Sequence, residues 1–335
     1  MRKRSFTFLV SFILLSLVGG LAFLSQLQPF GDPSQRQVLE IPQGASFSEV
    51  SSLLHQRQLI KNRRAFSWMA RVLGADRNII PGEYEFQGGM APADVLNKIT
   101  EGDVIQYAVT IPEGYSIEQI AGILQEKGLA DQDAFIQTTR DPNVLAKLNF
   151  QVDDLEGYLF PDTYHFTRQM KPESMIQVMV DRFKQAFTPE LQARALELGM
   201  SVHQIMTLAS VIEKETGLAQ ERGLISGVFH NRLRKKIPLQ SDPTVIYALA
   251  HFDGDLRKKD LTVDSPYNTY RFRGLPPGPI ANPGEASIRA ALYPVPTNYL
   301  YFVSRNDGSH QFSATLTEHN LAVQKFQLQQ HRRSS

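Results

Sequence analysis

Between Ser5 and Gly31 no side chain carries a charge, and within that stretch Phe6 to Leu24 is nearly unbroken apolar sequence. About 19 such residues, at 1.5 Å of helical rise each, are long enough to cross roughly 30 Å of hydrocarbon. Arg2, Lys3 and Arg4 directly precede the run. Positive residues are retained on the cytoplasmic side, so the expected topology is N-terminus in, C-terminus out, with the bulk of the chain outside the inner leaflet. The competing reading is a cleaved signal peptide, whose apolar region is usually about 7 to 15 residues and ends in a small-x-small site. Ser25-Gln26-Leu27 makes a poor site. An uncleaved anchor over residues 1–25 is expected, followed by a linker over residues 26–37 with Pro29, Gly31, Asp32 and Pro33.

The 335 residues leave room for about two further domains. A hydrophobic content of 42%, a charged content of 21% and 19 prolines exclude wholesale disorder, a collagen-like repeat and a polytopic membrane protein. The charge balance is 35 Lys and Arg against 34 Asp and Glu; without Arg2, Lys3 and Arg4 it is 32 against 34, so nucleic acid is not an expected partner. The absence of cysteine excludes disulfides, thiolate metal sites and a cysteine nucleophile.

Val38 to Ile41 reads as a strand, and Ser46 with Glu49 three residues on forms a capping box into an apolar helix. A helix over Ala65 to Leu73, a turn and strand from Pro81 to Phe86, and a helix opened by Pro92 complete a small module over residues 38–104. Ile105 to Ile111 opens a larger domain, residues 105–335, as a strand. Helices are expected there at Ile117 to Lys127, Asp131 to Thr138, Pro172 to Ala186, Pro189 to Leu198 and Val202 to Thr216. Tyr299 to Val303 and Gln311 to Ala314, joined through Asn306-Asp307-Gly308, read as a hairpin. Interspersed helices and strands without βα repetition favour an α+β fold.

The eight histidines form no metal-binding pair on one helix face, and neither a serine-nucleophile elbow nor a phosphate-binding glycine loop is present. No metal or cofactor is expected. At 100° per residue, Ile205, Leu208, Ala209 and Ile212 make an apolar stripe, with Thr207 and Lys214 opposite and Glu213 and Glu215 at its two edges. Each glutamate is placed to be partly desolvated, which raises a carboxyl pKa and lets it donate a proton near neutral pH. Acidic residues near a helix C-terminus also oppose the helix dipole. Periodicity does not choose between the two. Arg222, Asn231 and Arg232, then Leu239-Gln-Ser-Asp-Pro-Thr244, form a second polar cluster; a third runs from Ser265 to Tyr270 and into the rigid loop Gly274 to Gly284. Tyrosine and amide side chains on fixed loops suit sugar binding.

The segments Ala209 to Thr216, Val228 to Leu233, Leu239 to Tyr247, Tyr267 to Tyr270, Gly274 to Ile280 and Tyr301 to Val303 resemble the YceG-like family of endolytic murein transglycosylases. Pro112-Glu-Gly114 and Glu156 to Tyr164 resemble it too, as does the order of anchor, small LysM-like module and catalytic domain. The resemblance implies a single-pass inner-membrane enzyme with its catalytic domain in the periplasm. There it would cut nascent peptidoglycan glycan strands beside the synthases of the elongation or division machinery. It implies that Glu215, the second glutamate of Glu-Lys-Glu-Thr, is the catalytic acid and that Glu213 positions it or the substrate. Glu215-Thr216 is similar to the Glu-Ser pair ending the catalytic helix of lysozyme-like transglycosylases. Gln240, Ser241, Asp242, Tyr267, Asn268 and Tyr270 are candidates for orienting the saccharide, together with Asn282, where some relatives are expected to have Thr and where a polar loop contact is anticipated. Ile41-Pro-x-Gly44 and Ser46-x-x-Glu49-Val50 resemble glycan-binding repeats, and the module is expected either to bind glycan or only to orient the catalytic domain above the membrane.

By the same resemblance, Glu215 protonates the leaving oxygen of the β-1,4 bond and the sugar's own C6 hydroxyl captures C1, so no second catalytic carboxylate is required. Three rival functions are a hydrolase with Asp242 as partner base, a non-catalytic glycan-binding scaffold and a membrane-anchored peptidase. The last lacks any recognisable metal or serine motif.

Overall fold

The computed structural model describes residues 2–328, with side chains from Val10 onward. The chain is mixed α+β, with three two-stranded sheets among the described residues. Helix α1 spans Arg2–Gln26, and its apolar stretch with described side chains is Val10–Gln26. Among the described residues no single helix is long and apolar enough to cross a membrane. The side chains of Arg2, Lys3 and Arg4 and the first residues of the expected span, Phe6 to Leu9, lie outside those described.

The chain divides into two compact units. The first runs to Ala108 and takes in His165–Met170. Beyond α1 it holds β1 (Arg36–Ile41), α2 (Phe47–Gln56), α3 (Arg63–Val72), β2 (Gly82–Gln87) and α4 (Pro92–Glu101). β1 and β2 pair antiparallel from Arg36↔Gln87 to Ile41↔Gly82. Because side chains alternate along a strand, Leu39, Ile41, Tyr84 and Phe86 all face inward, onto Val50 and Leu54 of α2 and Val95, Leu96 and Ile99 of α4. The Ser46–Glu49 capping box is complete, and Asn62 caps α3 through two backbone amides. β3 (Tyr107–Thr110) pairs with β4 (Thr163–Phe166).

The second unit comprises Val109–Tyr164 and the chain from Lys171 on. Its helices are α5 (Ile117–Glu126), α6 (Gln132–Thr138), α7 (Pro142–Lys147), α8 (Pro172–Ala186), α9 (Pro189–Glu197), α10 (Val202–Glu215), α11 (Ala219–Arg234), α12 (Asp242–Ala248), α13 (Glu285–Leu292) and α14 (Leu316–Val323). The hairpin β5 (Tyr301–Ser304) and β6 (His310–Ser313) pairs Tyr301↔Ser313 through Ser304↔His310.

α10 is the centre of this unit and packs against α9, α11, α12 and α13. Its sequence pattern suggests a one-sided stripe, but the helix is buried all round: every residue from Ile205 to Ile212 is inaccessible, Thr207 included. A helix enclosed on every side needs no polar face. Its buried hydroxyls are satisfied locally, Thr207 Oγ1 donating to His203 O at 2.7 Å and Ser210 Oγ to Thr207 O at 2.8 Å. Ser201 and Gln204 form a capping box at its start.

Candidate active site

α10 ends at Glu215 because Thr216 is extended, at φ −148°. The Thr216 hydroxyl accepts the Leu218 amide at 3.0 Å and turns the chain into α11. Glu215, half-buried, therefore stands at a helix C-terminus, on the wall of a cavity of about 500 Å³. Arg232, Leu239, Gln240, Asp242, Tyr270, Phe302, Val303, Ser304, His310, His319 and Gln327 complete the wall. Burial raises the Glu215 carboxyl from the usual carboxylate range to about 7; the Ser241 hydroxyl, which donates to Oε1, lowers it, the Asp242 charge raises it and Arg232 lowers it. The helix C-terminus also disfavours a negative charge there.

The residues around the carboxyl are held by a compact polar lattice. Gln240 adopts the left-handed region, at φ 50°, and its amide donates to Thr269 O at 3.1 Å. Ser241 N donates to Thr269 Oγ1 at 3.0 Å, and the Thr244 and Thr269 hydroxyls lie 2.8 Å apart. Thr269 thus pins the segment Leu239 to Thr244 against the loop Tyr267 to Tyr270. Arg232 donates through Nε to Leu300 O at 2.6 Å and through Nη1 to Leu239 O at 2.8 Å, and its guanidinium lies 5.1 Å from the centre of the Tyr301 ring. Tyr270 donates its hydroxyl to Asp242 Oδ1 at 2.5 Å. A proton donor poised near neutral pH in a polar cavity, with hydrogen-bonding and aromatic groups around it, is suited to acid–base cleavage of a saccharide. Among the described residues no group of three His, Asp or Glu converges on a metal-sized site.

Residues 39–325 match the sequence model of the YceG-like family. This chain belongs to that family. An endolytic murein transglycosylase of Bacillus subtilis (strain 168) is 36% identical over 330 residues, covering 92% of this chain and 91% of the relative. One from Streptococcus pneumoniae serotype 2 is 30% identical; the match covers 89% of this chain but 60% of that longer protein. A 2.6 Å crystal structure of a protein described as YceG-like, from Listeria monocytogenes, superposes with a TM-score of 0.60 at 36% identity, covering 85% of this chain and 98% of that one.

In this YceG-like chain the geometry sorts the residues that the sequence had grouped. Glu215, Gln240, Ser241, Asp242 and Tyr270 converge on the cavity. Glu213, on the other side of the helix, pairs with Arg222 at 3.3 Å and accepts the Gly284 amide at 3.0 Å. Asn268 is fully buried and clamps its own loop through Leu261 O and Val263 O. Tyr267 packs on Tyr247, ring centres 4.9 Å apart, away from the cavity wall. Asn282 is not a loop contact but a buried hub. Its Oδ1 accepts the Leu159 amide at 2.8 Å, and its Nδ2 donates to Tyr115 O and to Glu156 Oε1, each at 2.9 Å. The loop's earlier residues, Gly274 to Pro277, line a separate cavity of about 730 Å³ with His203 and His230. Sequence reading placed Arg232 in a polar cluster but did not single out His310, His319 or Gln327.

Proposed function

We propose that this chain is an endolytic lytic transglycosylase of peptidoglycan, cutting the β-1,4 bond between N-acetylmuramic acid and N-acetylglucosamine in nascent strands. Glu215 donates its proton to the glycosidic oxygen as the C1–O bond breaks. The C6 hydroxyl of the same muramyl residue then bonds to C1 and returns its proton to Glu215, leaving a 1,6-anhydro end and a regenerated acid. The observation that carries this reading is the Glu215 carboxyl, held at about 7 in a cavity within a YceG-like chain. The names of the relatives support the same substrate.

The N-terminal helix is proposed as the membrane anchor, with the catalytic unit outside the cytoplasm. Its Phe12 and Leu15, 70% and 71% exposed, are surfaces that lipid would cover. The βααβ order of β1, α2, α3 and β2 supports a LysM-like module over residues 38–104, and the open cavity of about 540 Å³ between Pro42 and Gln56 is its proposed glycan contact. The domain division 26–37 linker, 38–104 module and 105–335 catalytic domain follows the same reading. Cleavage of strands as they emerge would set their length, and this makes membrane-bound peptidoglycan synthases the proposed partners.

Asp242 in the same cavity favours a second reading, a hydrolase in which it activates water. Mass spectrometry of products from uncrosslinked glycan strands separates the two. Anhydro ends from the detergent-solubilised full chain, absent with Glu215→Gln, are expected; ends carrying an added water mean hydrolysis, and intact bound strands mean a scaffold. Ser241→Ala removes the hydrogen bond that favours the charged carboxylate. The Glu215 pKa then rises, and the alkaline limb of a kcat/KM-against-pH profile is expected to move to higher pH.

A further inference from the structure

Glu215 is not the only titratable group with an ordered partner on the cavity wall. His310, the first residue of β6, lines the cavity, and its Nδ1 lies 2.7 Å from Glu221 Oε2 in the first turn of α11. The His310 backbone N–H donates to the other oxygen, Glu221 Oε1, at 2.9 Å. Both side chains are largely buried, 12% and 14% exposed. A carboxylate only accepts hydrogen bonds, so the proton of the neutral imidazole resides on Nδ1 and the Nε2 lone pair is left open. Phe302 meets the ring edge-on at 5.4 Å and fixes its plane. Among the described residues Nε2 has no hydrogen-bond partner, and it is not one of the buried unpaired atoms, so it keeps some exposure on a residue that lines the cavity.

We infer that His310 is a substrate-binding residue whose Nε2 accepts a hydrogen bond from a hydroxyl of the saccharide held beside Glu215, and that Glu221 is the positioning residue that fixes its tautomer. The inference rests on the glycan-cleaving reading above and adds a recognition point for the sugar in the cavity that Asp242 of α12 also lines. A structural alternative exists, in which the pair only pins the β5–β6 hairpin to α11. The two roles use different ring nitrogens, and this makes them separable. Asparagine reproduces the position of Nδ1 and glutamine that of Nε2.

The test measures initial rates of anhydro-end formation from uncrosslinked glycan strands by the detergent-solubilised full chain, with the melting temperature of each variant. His310→Asn, which keeps the anchor to Glu221, is expected to lower kcat/KM roughly tenfold to a hundredfold at an unchanged melting temperature, with His310→Gln recovering part of that loss. Glu221→Gln still accepts the His310 amide, but its own N–H donates to Nδ1 and forces the ring proton onto Nε2. It is expected to lower kcat/KM roughly tenfold with the fold intact. A His310→Gln rate at or below that of His310→Asn, or a Glu221→Gln rate equal to wild type, overturns the inference. If losing the Nδ1 anchor unfolds His310→Gln, the Glu221→Gln rate decides. Glu215→Gln run alongside keeps the two readings distinct: anhydro ends from wild type that vanish in Glu215→Gln sustain the function whichever way His310 falls.

Discussion

Glu215→Gln is expected to lower turnover of glycan strands by about a thousandfold or more, the range for removal of a positioned general acid and base. The same substitution is expected to raise stability at alkaline pH. The Glu215 carboxyl titrates near 7 in the fold against 4.5 in the unfolded chain. Between those values folding takes up a proton, so stability falls as pH rises from about 4.5 and levels off above about 7. At pH 8.5 the buried charge costs on the order of 3 kcal/mol, and the uncharged amide removes that cost. Melting temperature should then rise by about 5–10 °C at pH 8.5 and hardly at all at pH 4. Activity of the wild type follows the protonated fraction: kcat/KM is expected to drop about tenfold per pH unit above roughly pH 7. An inactive variant that gains no stability at high pH would mean that the carboxyl is not held protonated by its surroundings, and the acid would have to be sought elsewhere in the cavity.

Buried polar groups also decide which parts of the chain are readable from sequence. α8 is legible from the proline at its first position and the spacing of Met175, Ile176, Met179, Val180 and Phe183, because its partner surface is ordinary apolar core. The hairpin is legible from Asn306-Asp307-Gly308, whose Asn306 and Gly308 both take positive φ. α11 is not legible. Its buried residues mix Ser226, Asn231 and Arg232 with Ile225, Val228 and Phe229, since Asn231 reaches Thr297 O and Tyr299 O and Arg232 reaches Leu300 O, more than sixty residues away. Gly223 and Gly227 look like helix breakers, yet they let the Val295 segment lie directly on the helix; a Cβ at Gly223 would come within 2.7 Å of Val295 Cγ2. Long-range polar contacts erase the 3.6-residue period on which sequence reading depends. Glu213 and Glu215 show the same limit at one position. Both sit at the edge of the apolar stripe, and only the tertiary surroundings, the Arg222 partner of Glu213 and the burial that raises the Glu215 carboxyl, set the two apart.

The same reasoning gives Asn282→Ala a large expected stability effect in the second unit. Asn282 fills three hydrogen-bonding demands at once, from the Leu159 amide, the Tyr115 carbonyl and the Glu156 carboxyl. Glu156 is 2% exposed, and burial pushes its carboxyl up to about 8 even though the Ile117 amide donates to it at 3.1 Å. Alanine leaves the Leu159 amide without its acceptor and takes a donor from the Glu156 carboxyl, at a cost of about 3–5 kcal/mol. Melting temperature at pH 7 should fall by about 10 °C. Because the lost donor favoured the charged carboxylate, the Glu156 pKa rises further, and the extra destabilisation should grow as pH climbs from 7 to 9. Thermal melts of wild type, Asn282→Ala, Glu156→Ala and the double variant measure the coupling. A strongly sub-additive cycle places the hub where the structure does, joining the Glu156 to Tyr164 segment, the start of α5 and the loop before α13. Simple additivity would mean that the two side chains stabilise the fold independently and that the loop is held by its prolines alone.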